Sequence, residues 1–148
     1  TGAQPGDDGA LDRCAESFAA LVEYADASGI NVLIENHWGL SSEPDWLMAL
    51  MDRVSHPRFG TLPDFGNFPD EIDRYDAVRR MMPRAIAVSA KCYDFDDAGA
   101  ETKIEFDQMM RIVSDAGYNG YVGIEYEGER LPEREGILAC KALLERYQ

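Results

Sequence analysis

The sequence is poor in positive charge, in histidine and in long apolar segments. Lys and Arg together number 14 against 28 Asp and Glu, which gives a formal net charge of −14. A field of that sign repels phosphate backbones, so we expect no nucleic-acid partner. The longest apolar stretches, such as Ile30–Ile34 and Tyr121–Ile124, have the length of a strand, so we expect no membrane partner. A cytoplasmic location follows by default, unless residues ahead of Thr1 carried an export signal.

Cysteine is also scarce. Cys14, Cys92 and Cys140 are widely spaced and odd in number, and they show no zinc-ligand spacing. We therefore predict that all three are reduced and packed. The 148 residues are 45% apolar and 28% charged, which is enough for one ordinary core, so residues 1–148 are predicted to form a single domain.

Apolar runs and amphipathic helical patterns alternate along most of the chain. After a loop at Thr1–Gly9 the order is one helix and then four strand–helix units of about 30 residues each. Uninterrupted apolar strands separated by helices are typical of a parallel sheet, which predicts an α/β fold with four parallel strands in sequential order. The predicted strands are 30–34, 59–62, 85–90 and 121–124, and the predicted helices are 10–28, 44–54, 75–82, 105–116 and 133–146.

Carboxylates follow three of the four predicted strands. Glu35, Asp64 and Glu125 stand at these strand ends, and the fourth strand delivers Ser89 and Lys91. The carboxyl ends of parallel strands meet at one edge, where ligands bind. Three converging carboxylates would repel one another, and a divalent ion such as Mg²⁺, Mn²⁺, Co²⁺ or Zn²⁺ relieves that repulsion. The alternative is that these side chains cap helices or pair with Arg and Lys.

Other polar and aromatic residues accompany the predicted carboxylate group. His37 follows Glu35 closely and is a further candidate metal ligand, although a lone loop histidine is often only hydrogen-bonded. Trp38 would offer a face for a sugar ring, or it packs against its neighbours. Lys91 would hold a substrate oxygen or phosphate, or form a salt bridge to a neighbouring carboxylate.

These strand ends resemble those of the xylose isomerase-like TIM-barrel superfamily, the sugar phosphate isomerases and epimerases. The resemblance runs from about Leu11 to the end of the chain. The matching stretches are Ile34-Glu35-Asn36-His37, Leu62-Pro63-Asp64-Phe65-Gly66-Asn67, Val88-Ser89-Ala90-Lys91 and Gly123-Ile124-Glu125-Tyr126-Glu127-Gly128.

The resemblance implies a divalent-metal site and proton transfer next to a carbonyl. It assigns Glu35, Asp64 and Glu125 as metal ligands, with Glu35 and Glu125 also acting as acid and base. Ser89 stands where family members usually have a metal-binding His, so the site has lost a ligand, gained a water, or borrowed His37. Asn67 occupies a position where many relatives have a substrate-contacting His.

The resemblance also implies an architecture, because family barrels have eight strands and this chain has four. The chain matches strands five to eight, so we predict the carboxyl-terminal half of a (βα)8 barrel, inactive when isolated. Such a half would expose one apolar barrel face, which we expect to include Val32, Ile34, Ile86 and Val88. We therefore expect a homo-oligomer or association with the missing amino-terminal half.

Two alternatives to a sugar isomerase or epimerase stay open. Metal-dependent endonucleases that cleave phosphodiesters share the superfamily, although their sites need more histidine and a basic surface. A half barrel that is not catalytic would act as a binding or assembly module.

Overall fold

The structure, a computed structural model, describes residues 6–147; the first five residues of the predicted loop Thr1–Gly9 lie outside them. The helices are α1 Ala10–Asp26, α2 Pro44–Arg53, α3 Arg74–Met81, α4 Phe106–Asp115 and α5 Glu133–Leu144. The strands are β1 Val32–Glu35, β2 Phe59–Leu62, β3 Val88–Cys92 and β4 Val122–Tyr126. One helix followed by four strand–helix units is the predicted order, and the α/β class is confirmed.

The strands pair in parallel, as predicted, but they form two two-stranded sheets rather than one continuous sheet. β1 pairs with β2 and β3 pairs with β4. Between the pairs the described residues form two isolated parallel bridges, Thr61 with Ala85 and Asp64 with Ser89. The register shifts by one residue from the first bridge to the second. Pro63 lies between them and has no N–H to donate, so the ladder is interrupted there.

Local sequence signals fix where the helices begin and end. Gly29 has a φ of 69°, a left-handed conformation that glycine adopts without strain, and the chain leaves α1 at that point. The Asp73 carboxylate caps α3 by accepting the backbone N–H groups of Tyr75 at 3.0 Å and Asp76 at 3.2 Å.

The apolar residues of the strands face the helices. Ile34 is 4% exposed and Val88 is 2% exposed, and both belong to the core, while Val32 packs against it. The prediction that these side chains form an exposed inner face was therefore wrong for Ile34 and Val88. Successive side chains of a strand point to opposite faces, so Ile34 cannot share the face of its neighbour Glu35.

The prediction of three reduced cysteines was also wrong. Cys92 and Cys140 form a disulfide, and Cys14 is free. The two bridged residues are brought together because α5 packs against the sheet that contains β3, with their Cα atoms 6.3 Å apart. A sequence separation of 48 residues carries no signal of this contact.

Candidate metal centre

Three carboxylates meet at the carboxyl ends of the strands. Glu35 is the last residue of β1, Asp64 lies two residues beyond β2, and Glu125 lies in β4. Each offers one oxygen, and these oxygens lie within 4.8 Å of one another. The parallel arrangement of both strand pairs therefore gathers three residues that are far apart in sequence.

Asp64 is the most enclosed of the three. Its side chain is fully buried, and Oδ1 accepts the backbone N–H groups of Gly66 and Asn67, each at 2.8 Å. Its other oxygen, Oδ2, is buried and has no hydrogen-bond partner among the described residues. A buried acceptor without a partner is costly, and a cation would satisfy it. The donor set is all carboxylate oxygen, which suits Mg²⁺ or Mn²⁺ and is also acceptable to Zn²⁺.

The like charges of the group perturb its protonation. Burial raises the pKa of Glu35, and the Asp64 and Glu125 carboxylates raise it further, while His37 and Lys91 oppose the shift. Burial also raises the pKa of Asp64, and this effect outweighs the opposing effects of the Gly66 and Asn67 N–H groups and of Lys91. Ionising all three carboxylates together is unfavourable, and a divalent cation removes that penalty.

Lys91 lies beside this group and is only 1% exposed. Its Nζ is 2.7 Å from Asn67 Oδ1, 3.2 Å from Glu125 Oε1 and 3.1 Å from Glu127 Oε1. Burial lowers the pKa of Lys91, but the Asp64, Glu127 and Glu125 carboxylates raise it by more, so the net shift is upward. The centre therefore contains one permanent positive charge.

Asparagine and serine side chains hold the loop after β2 in place. Asn36 accepts the Asp64 backbone N–H at 2.8 Å through Oδ1 and donates through Nδ2 to the Asp64 carbonyl at 3.0 Å. The Ser42 hydroxyl donates to the Asn67 carbonyl at 2.6 Å. Asn67 Nδ2 in turn lies 3.5 Å from Glu35 Oε1. Sequence reasoning did not assign Asn36 or Ser42; the position of Asn36 directly after a strand-end Glu was the available signal.

Ser89 contacts the carboxylate group through its hydroxyl. Its hydroxyl donates to Glu125 Oε2 at 3.3 Å. Glu125 is thus held by Ser89 on one oxygen and by Lys91 on the other.

His37 and Trp38 lie on the segment that follows β1, and both are exposed. His37 is not one of the three residues whose oxygens meet; its backbone N–H donates to the Ser41 hydroxyl at 3.0 Å. Trp38 is 53% exposed and has a φ of 57°, an unfavourable conformation for a bulky residue. The loop after β1 therefore holds the Trp38 backbone in a strained conformation.

Parallel β/α units with carboxylates gathered at the strand ends define the class of α/β proteins with a candidate cation centre. None of the helices in the described residues is long and apolar enough to cross a bilayer. The sequence model of one family, described as xylose isomerase-like TIM barrel, matches residues 1–146. The chain belongs to that family, which confirms the resemblance carried by its four strand-end stretches.

Known proteins share the fold over nearly the whole chain. An L-ribulose 3-epimerase matches with a TM-score of 0.77 and 15% identity, covering 99% of this chain and 56% of its own. A D-tagatose 3-epimerase-like protein matches at 0.73 and 22%, covering 93% and 54%. An AP endonuclease, family 2, from Brucella melitensis matches at 0.67 and 21%, covering 95% and 55%. The chain therefore spans little more than half the length of these proteins.

A curated relative matches a shorter part of the chain. The 3'-dehydrocarminate deglycosidase alpha subunit of a Microbacterium species is 38% identical over 48 residues, which are 32% of this chain and 14% of that protein. The fold of this chain is thus shared by proteins named as sugar epimerases and as an AP endonuclease.

Proposed function

We propose that this chain is the carboxyl-terminal half of a metal-dependent isomerase or epimerase acting on a sugar or sugar phosphate. The observation that supports the proposal is the carboxylate group of Glu35, Asp64 and Glu125, with Asp64 Oδ2 buried and unpartnered. Family membership and the two sugar epimerases among the structural neighbours favour sugar chemistry. A net charge of −14 disfavours the alternative, cleavage of a polyanionic nucleic acid.

The proposed mechanism moves a proton at the carbon next to a substrate carbonyl. A bound divalent ion supplies Lewis acidity toward the substrate oxygens. Glu35 and Glu125 serve as the acid and base, since both carboxylates reach the same small volume from different strands. Asn67 and Lys91 are polar groups at its border, and the exposed Trp38 offers an apolar face on which a sugar ring stacks.

The ion is held in this proposal by Glu35, Asp64 and Glu125. Mn²⁺, Mg²⁺, Co²⁺ and Zn²⁺ are all compatible with carboxylate ligands. His37 follows Glu35 by two residues on the exposed segment after β1, and it is the proposed fourth protein ligand. A nitrogen ligand would favour Mn²⁺, Co²⁺ or Zn²⁺ over Mg²⁺.

A second set of four strand–helix units is the proposed partner. The chain covers only 54–56% of the epimerase and endonuclease chains, so the matching proteins have nearly as many residues outside the matched part as within it. Apolar side chains are exposed on or beside the elements around the two sheets: Tyr24 on α1, Ile30 ahead of β1, Tyr121 ahead of β4 and Leu138 on α5. Either an amino-terminal half or a second copy of this chain would cover these surfaces.

Deuterium exchange tests the proposed reaction directly. The chain, alone and joined to a complementary amino-terminal half, is incubated with Mn²⁺ in D₂O with a panel of ketoses and ketose phosphates. Proton NMR should show solvent deuterium entering next to the carbonyl, together with the epimer or aldose. Glu125→Gln should abolish exchange, whereas Glu129→Gln, at an exposed position on the same segment, should not.

Two results would replace the proposal with its alternatives. Metal-dependent nicking of a duplex containing an abasic site, without deuterium exchange, would identify a phosphodiesterase. Absence of both metal binding and exchange in the joined protein would favour a module that is not catalytic.

A further inference from the structure

The Lys91 ammonium is surrounded by three side-chain oxygen atoms of the protein. A lysine ammonium carries three N–H donors and no acceptor. Asn67, Glu125 and Glu127 each present an oxygen within 3.2 Å of Nζ, and the side chain is 1% exposed. Nζ donates a hydrogen bond to Asn67 and forms ion pairs with Glu125 and Glu127, so Lys91 connects these three side chains inside the protein.

The fold builds a defined path for this side chain. At Gly66 a Cβ atom would stand 2.8 Å from Lys91 Cδ and 2.8 Å from the Tyr93 hydroxyl, so only glycine leaves room for the lysine stem. The Glu127 backbone N–H donates to the Cys92 carbonyl at 2.9 Å, which fixes Glu127 beside the end of β3. Lys91 is thus enclosed along its stem and bound by carboxylates at its tip.

We propose that Glu127 is a positioning residue of this centre, acting through Lys91 to fix the Glu125 carboxylate. This inference rests on the proposed function, in which Glu125 is a metal ligand and base. Glu127 is not one of the three residues whose oxygens meet, so its effect on the centre is indirect. Its Oε1 lies 3.1 Å from the ammonium, so Lys91 is shared between Glu127 and Glu125 and is not paired with Glu125 alone.

Loss of Glu127 changes how Lys91 is shared. In Glu127→Gln the oxygen at position 127 becomes that of a neutral amide, so Glu125 is the one carboxylate left beside the ammonium, which moves toward it. Glu125 then pairs more closely with Lys91 and is less available to a cation. A direct field effect of the Glu127 charge would have the same sign, so a single variant cannot separate the two causes.

A double-mutant cycle separates them. Mn²⁺ affinity is measured by calorimetry for the 148-residue chain, for Glu127→Gln, for Lys91→Met and for both changes together. We expect Glu127→Gln to weaken Mn²⁺ binding about tenfold in the wild-type background and less than about twofold in the Lys91→Met background. The control Glu129→Gln should stay within about twofold of wild type. An equal effect of Glu127→Gln in both backgrounds would overturn the proposal.

A readout without metal keeps the proposal testable if Lys91→Met fails to fold. In the metal-free protein, the Lys91 ammonium should give a slowly exchanging ¹H–¹⁵N signal, because it is buried, hydrogen-bonded to Asn67 and paired with two carboxylates. In Glu127→Gln this signal should broaden and the Glu125 carboxylate carbon should shift, while Glu127→Asp restores part of both and Glu129→Gln changes neither. Unchanged signals in Glu127→Gln would refute the positioning role.

Failure of the proposed function gives a different pattern. A wild-type chain that binds no Mn²⁺ contradicts the metal-dependent enzyme, whereas the NMR signals still decide whether Glu127 fixes Glu125 through Lys91.

Discussion

Replacing Asp64 with Asn is expected to stabilise the metal-free fold while removing its response to a cation. Asp64 is fully buried, and the acceptor bonds from Gly66 and Asn67 use only Oδ1, which an Asn side chain also provides. The lost charge faces Glu35 and Glu125 within 4.8 Å, where each ionised pair costs about 3 kcal/mol at an effective dielectric constant of 20. Lys91 offsets much of this repulsion. We therefore expect the substitution to raise the free energy of unfolding by about 1–3 kcal/mol, which is the cost of one unsatisfied buried polar group.

Chemical denaturation at neutral pH, with EDTA and with Mn²⁺, measures both effects. Wild type should gain about 2.7 kcal/mol when Mn²⁺ exceeds its Kd a hundredfold, and Asp64→Asn should gain almost nothing. Asp70→Asn is the matched control, because Asp70 is exposed on the same loop. If Asp64→Asn were less stable than wild type in EDTA and equally stabilised by Mn²⁺, the carboxylate group would be a structural network and not a cation site.

Three further outcomes can be checked separately. His37→Ala, at the proposed fourth ligand, should weaken Mn²⁺ binding about tenfold, and unchanged affinity in calorimetry would leave an all-oxygen site. Tyr147 should ionise late in an ultraviolet titration, because burial and its bond to Asp107 raise its pKa from 10.0 to about 12. Because the pKa is raised in the folded state, the neutral phenol stabilises the fold below pH 10, and this contribution is lost as the pH rises through 12. Tyr147→Phe cannot ionise, so its stability should not fall over this pH range for that reason. The chain alone should self-associate in sedimentation through surfaces that include Tyr121, and a well-folded monomer would contradict the predicted half barrel.

The sequence predicted the fold class and family well because these depend on repeated local patterns. Strand–helix alternation needs only periodicity, and the parallel strands followed from it. The convergence of Glu35, Asp64 and Glu125 followed from one rule about strand ends, and their role in catalysis stays a prediction.

The features that sequence reasoning missed depend on contacts between distant residues. The break between the two sheets comes from a proline at one ladder position. Strand bounds predicted from sequence are accurate only to a residue or two, so they do not indicate this break. The face of Ile34, by contrast, follows from the alternation of side chains along β1, which sets Ile34 opposite to Glu35. The Cys92–Cys140 bridge and the Glu127–Lys91 pair join different elements across the fold, and no local spacing indicates them.

The interruption at Pro63 places the carboxylate group across a seam between two separately paired units. Glu35 belongs to the β1–β2 pair, Glu125 to the β3–β4 pair, and Asp64 lies at the junction between them. A ligand that binds all three residues would therefore couple the opening of one unit to that of the other. Rates of amide hydrogen exchange would then become more uniform across both strand pairs when a cation is present. The bound cation would make the two pairs unfold cooperatively.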